Sequence, residues 1–208
     1  MNQDLVVLVP DKNTQFALSG ALPRFSALQT RQFSFELLVH PERDPGVRTS
    51  GVDLLGLERR RFGAALMILD YAGCGVEEKI SPQQLEERLS QELITRWGPN
   101  SACIVVSPEV DVWIWGSDNS ISQTLDWPNP LGIRQWLTRE GFEFLPNGKP
   151  VHPKEAFEKL LRHLRVPRSS ALYKEITSKI SLQNCGDAAF TRLKNQLQNW
   201  FPISMVGK

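Results

Sequence analysis

The sequence predicts an α/β protein: a mostly parallel sheet with flanking helices, followed by a C-terminal helical part. The first observation is a set of short apolar runs at residues 4–9, 33–39, 64–69 and 102–106, each of strand length. The second is that a helical segment lies between each pair of successive runs. Alternation of this kind favours right-handed crossovers between parallel strands.

Local signals justify each helix between the strands. Residues 14–22 follow the first strand and predict a short helix, with Asn13 as its expected cap. Residues 52–62 carry apolar side chains on one face and predict the second helix. The third has the strongest start, because Ser81–Gln84 supplies a serine cap, a proline in the first turn and a glutamine three residues after the cap. Leucines then repeat every four residues as far as Trp97.

The chain divides at a proline-rich connector near residue 126. We expect residues 1–125 to form the α/β core and residues 126–208 to form a helical region packed on it. Amphipathic segments at 153–164, 170–180 and 187–200 each need an apolar partner. Docking on the sheet and assembly into a small bundle both satisfy that need.

Composition indicates an ordinary globular protein. Of its 208 residues, 41% are hydrophobic and 23% are charged, which argues against disorder. No apolar run approaches the roughly 20 residues needed to span a bilayer, and no leader-like segment opens the chain, so we expect a cytoplasmic protein without a membrane partner. Three widely spaced cysteines form no CxxC pair and are expected to be buried thiols.

The charge is unevenly distributed. Residues 1–118 hold 11 basic and 16 acidic side chains, whereas residues 119–208 hold 13 and 7, so the net charges are −5 and +6. A basic region can mark contact with nucleic acid. The competing interpretation is a solvated helical surface.

Acidic residues follow two of the predicted strands. Asp11 and Asp70 each come directly after a buried run, and the carboxyl ends of parallel strands meet at one edge of a sheet. Two carboxylates there fit Mg²⁺ or Mn²⁺, with water and substrate phosphate as further ligands. Glu109 or Asp111 would add a third acidic group, so Asp11, Asp70 and Glu109 are the candidate catalytic residues. The competing interpretation is that each aspartate caps a helix or turn.

A polar segment at residues 40–51 is expected to form a long loop, and such loops are often functional. Arg43 and Arg48, with Thr49 and nearby amides, predict a phosphate site. His40 would serve there as an acid or base near neutral pH. Alternatively, ion pairs between the arginines and neighbouring aspartates only order the loop.

Trp113 and Trp115 alternate with aliphatic residues after the fourth strand. Exposed tryptophans would stack on nucleobases, whereas core packing is the commoner role beside valine and isoleucine. The sequence contains no Walker loop, no GxGxxG and no GxSxG motif.

Several segments together resemble a known family. An acidic turn after the first strand, an aspartate after a later strand and the run PEVDVWIWGSD (residues 108–118) resemble an uncharacterised bacterial family with a TOPRIM-like α/β fold. The tail YKEITSKISLQNCGDAAFTRLKNQL is similar to the tail of that family. More closely, VPDKNTQFALSGAL, HPERDPGVRTSG, LLGLERRRF and LDYAGCG resemble one component of the methylation-associated antiphage defence systems of bacteria.

The resemblance implies a TOPRIM core and a place in a multi-protein antiphage system. TOPRIM enzymes hold Mg²⁺ with a glutamate after the first strand and an Asp-x-Asp pair after a later one. Asp11 stands in the place of the glutamate and Asp70 in that of the first aspartate, while Ala72 replaces the second. The resemblance therefore implies an altered metal site.

We accordingly expect a TOPRIM-like accessory component of a bacterial antiphage system. It would bind nucleic acid, a nucleotide or a partner subunit, and act with other defence-system subunits. One alternative is an active Mg- or Mn-dependent nuclease. Another is a structural subunit whose amphipathic tail docks to a partner.

Overall fold

The computed structural model describes residues 3–182 and 185–203 and shows an α/β fold built on a four-stranded sheet. The strands are β1 (Gln3–Val9), β2 (Phe35–Val39), β3 (Phe62–Asp70) and β4 (Ser101–Val106). They lie in the order β2-β1-β3-β4, and every neighbouring pair is parallel. The predicted parallel α/β fold with a helical C-terminal part is confirmed.

Helices connect the strands and make up most of the C-terminal part. In chain order they are α1 (Lys12–Ala21), α2 (Phe25–Leu28), α3 (Arg43–Glu58), α4 (Pro82–Trp97), α5 (Asp111–Ile114), α6 (Asp118–Thr124), α7 (Ile133–Arg139), α8 (Pro153–Leu164), α9 (Ser170–Lys179) and α10 (Ala188–Trp200). None of the helices in the described residues is long and apolar enough to cross a membrane.

The sheet is buried on both faces because its strand side chains alternate between two hydrophobic clusters. On β1, Leu5 and Val7 join the cluster that contains α1, α9 and α10. Val6 and Leu8 join the cluster formed with α3 and α4. The result is three layers, with the sheet in the middle.

The C-terminal helices complete one of these layers. Helix α9 lies against α1, where the Thr177 hydroxyl donates to the Ala17 carbonyl at 2.8 Å. Helix α10 lies against β4. Docking on the α/β part, one of the two arrangements that the sequence left open, is therefore the one observed. Residues 183–184 and 204–208 of the tail lie outside the described residues.

Helix starts follow local chemistry, with one correction. The predicted capping box is present, since the Ser81 hydroxyl accepts from the Gln84 amide and the Gln84 side chain accepts from the Ser81 amide. The predicted cap of α1 was wrong. Asp11, rather than Asn13, caps the helix by accepting from the Thr14 amide at 2.8 Å.

The expected loop at residues 40–51 was also wrong, because α3 already begins at Arg43. The polar character of the segment and its residues Pro41, Pro45 and Gly46 favoured a loop, but packing requires a glycine at both 46 and 51. A Cβ on Gly46 would lie 2.2 Å from the His40 ring, and one on Gly51 would lie 2.8 Å from the sulfur of Met67. At Gly51 the helix therefore runs too close to the sheet for a larger residue, and its tertiary contacts override its weak helix propensity.

The predicted buried thiols and packed tryptophans are confirmed. Trp113 and Trp115 are 2% and 3% exposed, so neither presents a face for stacking on a base. Their indole NH groups donate to Asp187 and to the Pro153 carbonyl, each at 3.0 Å. The three cysteines are buried and unpaired.

Candidate functional site

A cavity of about 500 Å³ opens at the carboxyl ends of β1 and β2. This is the edge at which parallel α/β sheets usually bind ligands. Its lining comes from the β1–α1 turn, the β2–α3 turn and the C-terminal helical part: Pro10, Asp11, Lys12, Asn13, Val39, His40, Pro41, Arg43, Lys154 and Arg168.

Cations dominate this lining. Lys12 and Arg43 are exposed, and neither forms an ion pair within the described part of the chain. Lys154 lies 3.4 Å from a carboxylate oxygen of Glu109. Arg168 pairs with Glu158 on α8. Two of the four cations are thus held in place by acids, while the other two are free to neutralise a ligand.

Lys154 keeps its charge although it is partly buried. Burial by itself lowers the pKa of an ammonium group, but the carboxylates of Glu109 and Asp111 outweigh it and raise the pKa of Lys154 above its ordinary value. Glu109, a predicted catalytic acid, therefore lies beside the cavity as the partner of a cation. Burial and the charge of Asp111 also raise the pKa of Glu109.

The four predicted phosphate-binding residues separate into two groups. His40 and Arg43 line the cavity. Arg48 instead donates from Nε to the Cys74 carbonyl at 2.7 Å, and the Thr49 hydroxyl donates to the Pro45 carbonyl at 2.8 Å inside the helix. Because α3 begins at Arg43, the amides near Thr49 are inside the helix as well.

His40 has both ring nitrogens engaged by the protein. Its Nδ1 accepts from the Glu42 amide at 3.1 Å, which places the proton on Nε2, and Nε2 donates to the Ser50 hydroxyl at 2.9 Å. His40 as a whole is 4% exposed. In this arrangement His40 fastens the start of α3 and has no free nitrogen for a ligand.

Four aspartates form an acidic group beneath the cations. The Asp70 carboxylate accepts from the Val110 amide at 2.8 Å, and the Asp70 amide donates to Asp44 at 2.7 Å. Asp111 accepts from the Tyr173 hydroxyl at 2.5 Å. Burial raises the pKa of Asp70 well above its usual range, and the charges of Asp44, Asp11 and Asp111 add to the effect. Asp11 is thus one of the charges that raise the pKa of Asp70.

These acids meet only part of what a metal site needs. Mg²⁺ commonly takes one or two carboxylates and completes its shell with water and phosphate, which is the role that the sequence predicts for Asp11 and Asp70. One oxygen of Asp11 already accepts from both the amide and the hydroxyl of Thr14. No group of three His, Cys, Asp or Glu side chains among residues 3–182 and 185–203 is arranged to hold a metal ion.

Two site residues were not found by sequence reasoning. Lys154 and Arg168 lie more than 80 positions beyond the strands they face. The one signal was the net +6 charge of residues 119–208, which indicates a basic region without indicating which members face the sheet.

The fold and site define a parallel α/β protein with a cationic cavity above an acidic group at its strand ends. The chain matches no known protein-family profile, no curated protein and no solved structure.

Proposed function

We propose that the protein binds a phosphate-bearing ligand, a nucleotide or a nucleic-acid phosphate, in this cavity. The observation that carries the proposal is the convergence of Lys12, Arg43, Lys154 and Arg168 on one cavity at the sheet's carboxyl edge. Lys12 and Arg43 form no ion pair with any residue that the structure describes, and phosphate oxygens are the ligands that satisfy convergent lysine and arginine groups.

The biological setting of the proposal comes from the sequence resemblance. We infer that the protein acts in the bacterial cytoplasm as an accessory component of an antiphage system and recognises nucleic acid or a nucleotide beside partner subunits. The basic C-terminal part supports this function, because it contributes two of the four cations.

The test is direct titration of a fluorescent single-stranded oligonucleotide, with AMP and inorganic phosphate as competitors. We expect Lys12→Ala and Arg43→Ala each to weaken binding by roughly 10- to 100-fold, since a charge-assisted hydrogen bond contributes about 1.5–3 kcal/mol. Arg60→Ala is the matched control, because Arg60 is exposed, unpaired in the described structure and outside the cavity lining. Affinity should fall steeply with salt.

Two outcomes would overturn the proposal. One is the absence of oligonucleotide, AMP and phosphate binding at low salt. The other is equal binding by the wild type, Lys12→Ala and Arg43→Ala.

A metal-dependent nuclease is the second candidate, favoured by the mutual repulsion within the acidic group. A divalent ion would supply charge neutralisation there and polarise a phosphodiester. The expected result is Mg²⁺- or Mn²⁺-dependent cutting that Asp70→Asn abolishes while oligonucleotide binding persists. Cutting that survives Asp70→Asn would contradict this assignment.

A further inference from the structure

The strand β2 forms one edge of the sheet and has an open outer side. Ser34 accepts from the Leu5 amide and His40 donates to the Val9 carbonyl, so even-numbered residues of this segment bond to β1. Since successive residues of a strand point in opposite directions, the backbone groups of Phe35, Leu37 and Val39 point away from the sheet.

These outward groups are almost unpartnered. Within residues 3–182 and 185–203, the Leu37 carbonyl accepts from the Gln15 side-chain amide at 3.1 Å, and it alone among them has a protein partner. The amides of Phe35, Leu37 and Val39 donate to no protein group there. A row of free donors and acceptors is a template for another strand.

At the opposite edge of the sheet, side chains bond to the backbone amides and carbonyls of β4 that would otherwise be free. The Ser90 hydroxyl bonds to the amide of Cys103, and Glu86 accepts from the Val105 amide at 2.7 Å. Arg192 donates to the Val105 carbonyl and makes a two-bond ion pair with Glu86. Helix α10 also lies against β4.

Among the described residues, β2 has only the Gln15 contact as protection of its outer side. Its sequence, Phe-Glu-Leu-Leu-Val, contains no lysine and no proline, and its one charge is neutralised by Arg61 at 3.2 Å from Glu36. Val39 is 37% exposed, although it is apolar. An apolar edge strand without these protections normally pairs with another strand.

We propose that β2 pairs antiparallel with β2 of a second copy of this chain, about a twofold axis at Leu37. Only an antiparallel pair of identical edges is related by a twofold axis. Leu37 then faces its own counterpart as a hydrogen-bonded pair.

The neighbouring positions are compatible with that register. Phe35 faces Val39 of the second copy, and Glu36 faces Leu38 of the second copy. No like charges oppose one another, and the aromatic–β-branched pair is a favourable cross-strand combination. The two sheets would join into one continuous sheet of eight parallel and antiparallel strands. The Leu37 carbonyl has a second lone pair, so it need not release Gln15.

The dimer should depend on concentration. A five-residue edge is a small interface beside the ~1,600 Å² typical of stable complexes. Sedimentation velocity of the full chain across a concentration series is therefore the measurement. We expect a monomer–dimer equilibrium in the wild type and at least a tenfold weaker association for Val39→Lys.

Leu57→Lys is the matched control, because Leu57 is 78% exposed on α3 and lies outside β2. It should associate like the wild type. Hydrogen exchange gives a second readout, in which the Leu37 amide gains protection as concentration rises. A wild type that stays monomeric at its highest soluble concentration overturns the proposal, as does equal weakening by both lysine variants. Because Val39 also lines the cavity, phosphate binding is tested with Lys12→Ala and Arg43→Ala and not with Val39→Lys, so failure of one proposal is distinguishable from failure of the other.

Discussion

The Asp44 carboxylate accepts a hydrogen bond from the backbone amide of Asp70 at 2.7 Å. This bond joins the first turn of α3 to the end of β3 and brings two acidic side chains together beneath the cavity. Burial and the charge of Asp44 raise the pKa of Asp70, whereas the hydrogen bond from the Asp70 amide lowers the pKa of Asp44, so the contact holds the site in place around a buried acid that costs stability at neutral pH.

Asp44 should make the stability of the protein depend on pH. Burial, with a further contribution from Asp11, raises the pKa of Asp44 to about 6 from an ordinary value of 3.8. The folded chain therefore binds this proton more tightly than the unfolded chain does. The stabilisation that comes from binding this proton at Asp44 is fully present below pH 3.8 and is lost as the pH rises through about 6.

Denaturant unfolding of the wild type and of Asp44→Asn across this pH range measures the contribution. The asparagine keeps an oxygen to accept from the Asp70 amide and has no proton to lose. We expect the variant to gain stability relative to the wild type as pH rises. A difference that stays constant across the range would contradict this assignment.

Asp70→Asn should stabilise the protein at neutral pH. Burial and the charge of Asp44 raise the pKa of Asp70, so the native aspartate is a destabilising group above its unfolded pKa, whereas asparagine still offers an oxygen to the Val110 amide. We expect a gain on the order of 0.5–2 kcal/mol at pH 7 that shrinks near pH 4. The measurement is thermal unfolding of the wild type and of Asp70→Asn in EDTA. A variant that is less stable than the wild type at pH 7 would show that the folded protein stabilises the Asp70 carboxylate and would contradict this prediction.

The junction between α1 and α9 should be sensitive to one methyl group. A Cβ on Gly20 would lie 2.3 Å from the Thr177 hydroxyl and 2.4 Å from the Lys174 carbonyl, and the latter cannot rotate away. Gly20→Ala should therefore cost about 1–3 kcal/mol in spite of alanine's better helix propensity. Gly132→Ala is the control, because nothing lies within 4 Å of its added Cβ. Equal unfolding midpoints for the two variants would mean that the helices separate at little cost.

Much of this architecture could be predicted from the sequence. The four apolar runs became strands, and Ser81 with Gln84 became a capping box, because those signals are local. The course of α3 could not be predicted, since Gly51 packs against Met67 and Leu8, which are distant in sequence. The strand-end position of Asp11 followed from topology.

The cationic residues of the site could be identified only from the tertiary structure. Lys154 and Arg168 come to the cavity on segments whose docking is decided by apolar burial, and no local pattern distinguishes them from other basic residues of the tail. Arg48 is the opposite case. The sequence predicts that it binds phosphate, but its side chain donates to the Cys74 carbonyl, a contact that no local pattern indicates.

Tyr173 should link stability to ligand binding. Its hydroxyl donates to Asp111 at 2.5 Å and lies 3.5 Å from the guanidinium of Arg168, which lines the cavity. Tyr173→Phe leaves a buried carboxylate without its donor, so we expect a loss of about 1–3 kcal/mol in unfolding free energy. It also removes a polar contact of Arg168 and should weaken oligonucleotide binding a few-fold.

Tyr71→Phe provides the comparison for this last effect. Tyr71 donates to the Glu77 and Ile80 carbonyls and is not among the cavity residues, so its replacement should change stability and leave the oligonucleotide affinity unchanged. Fluorescence polarisation with folded protein measures both variants at one salt concentration. Of the two variants, only Tyr173→Phe removes a hydroxyl that contacts a cavity residue. If Tyr173→Phe binds the oligonucleotide as tightly as Tyr71→Phe does, Arg168 does not depend on Tyr173 for its position.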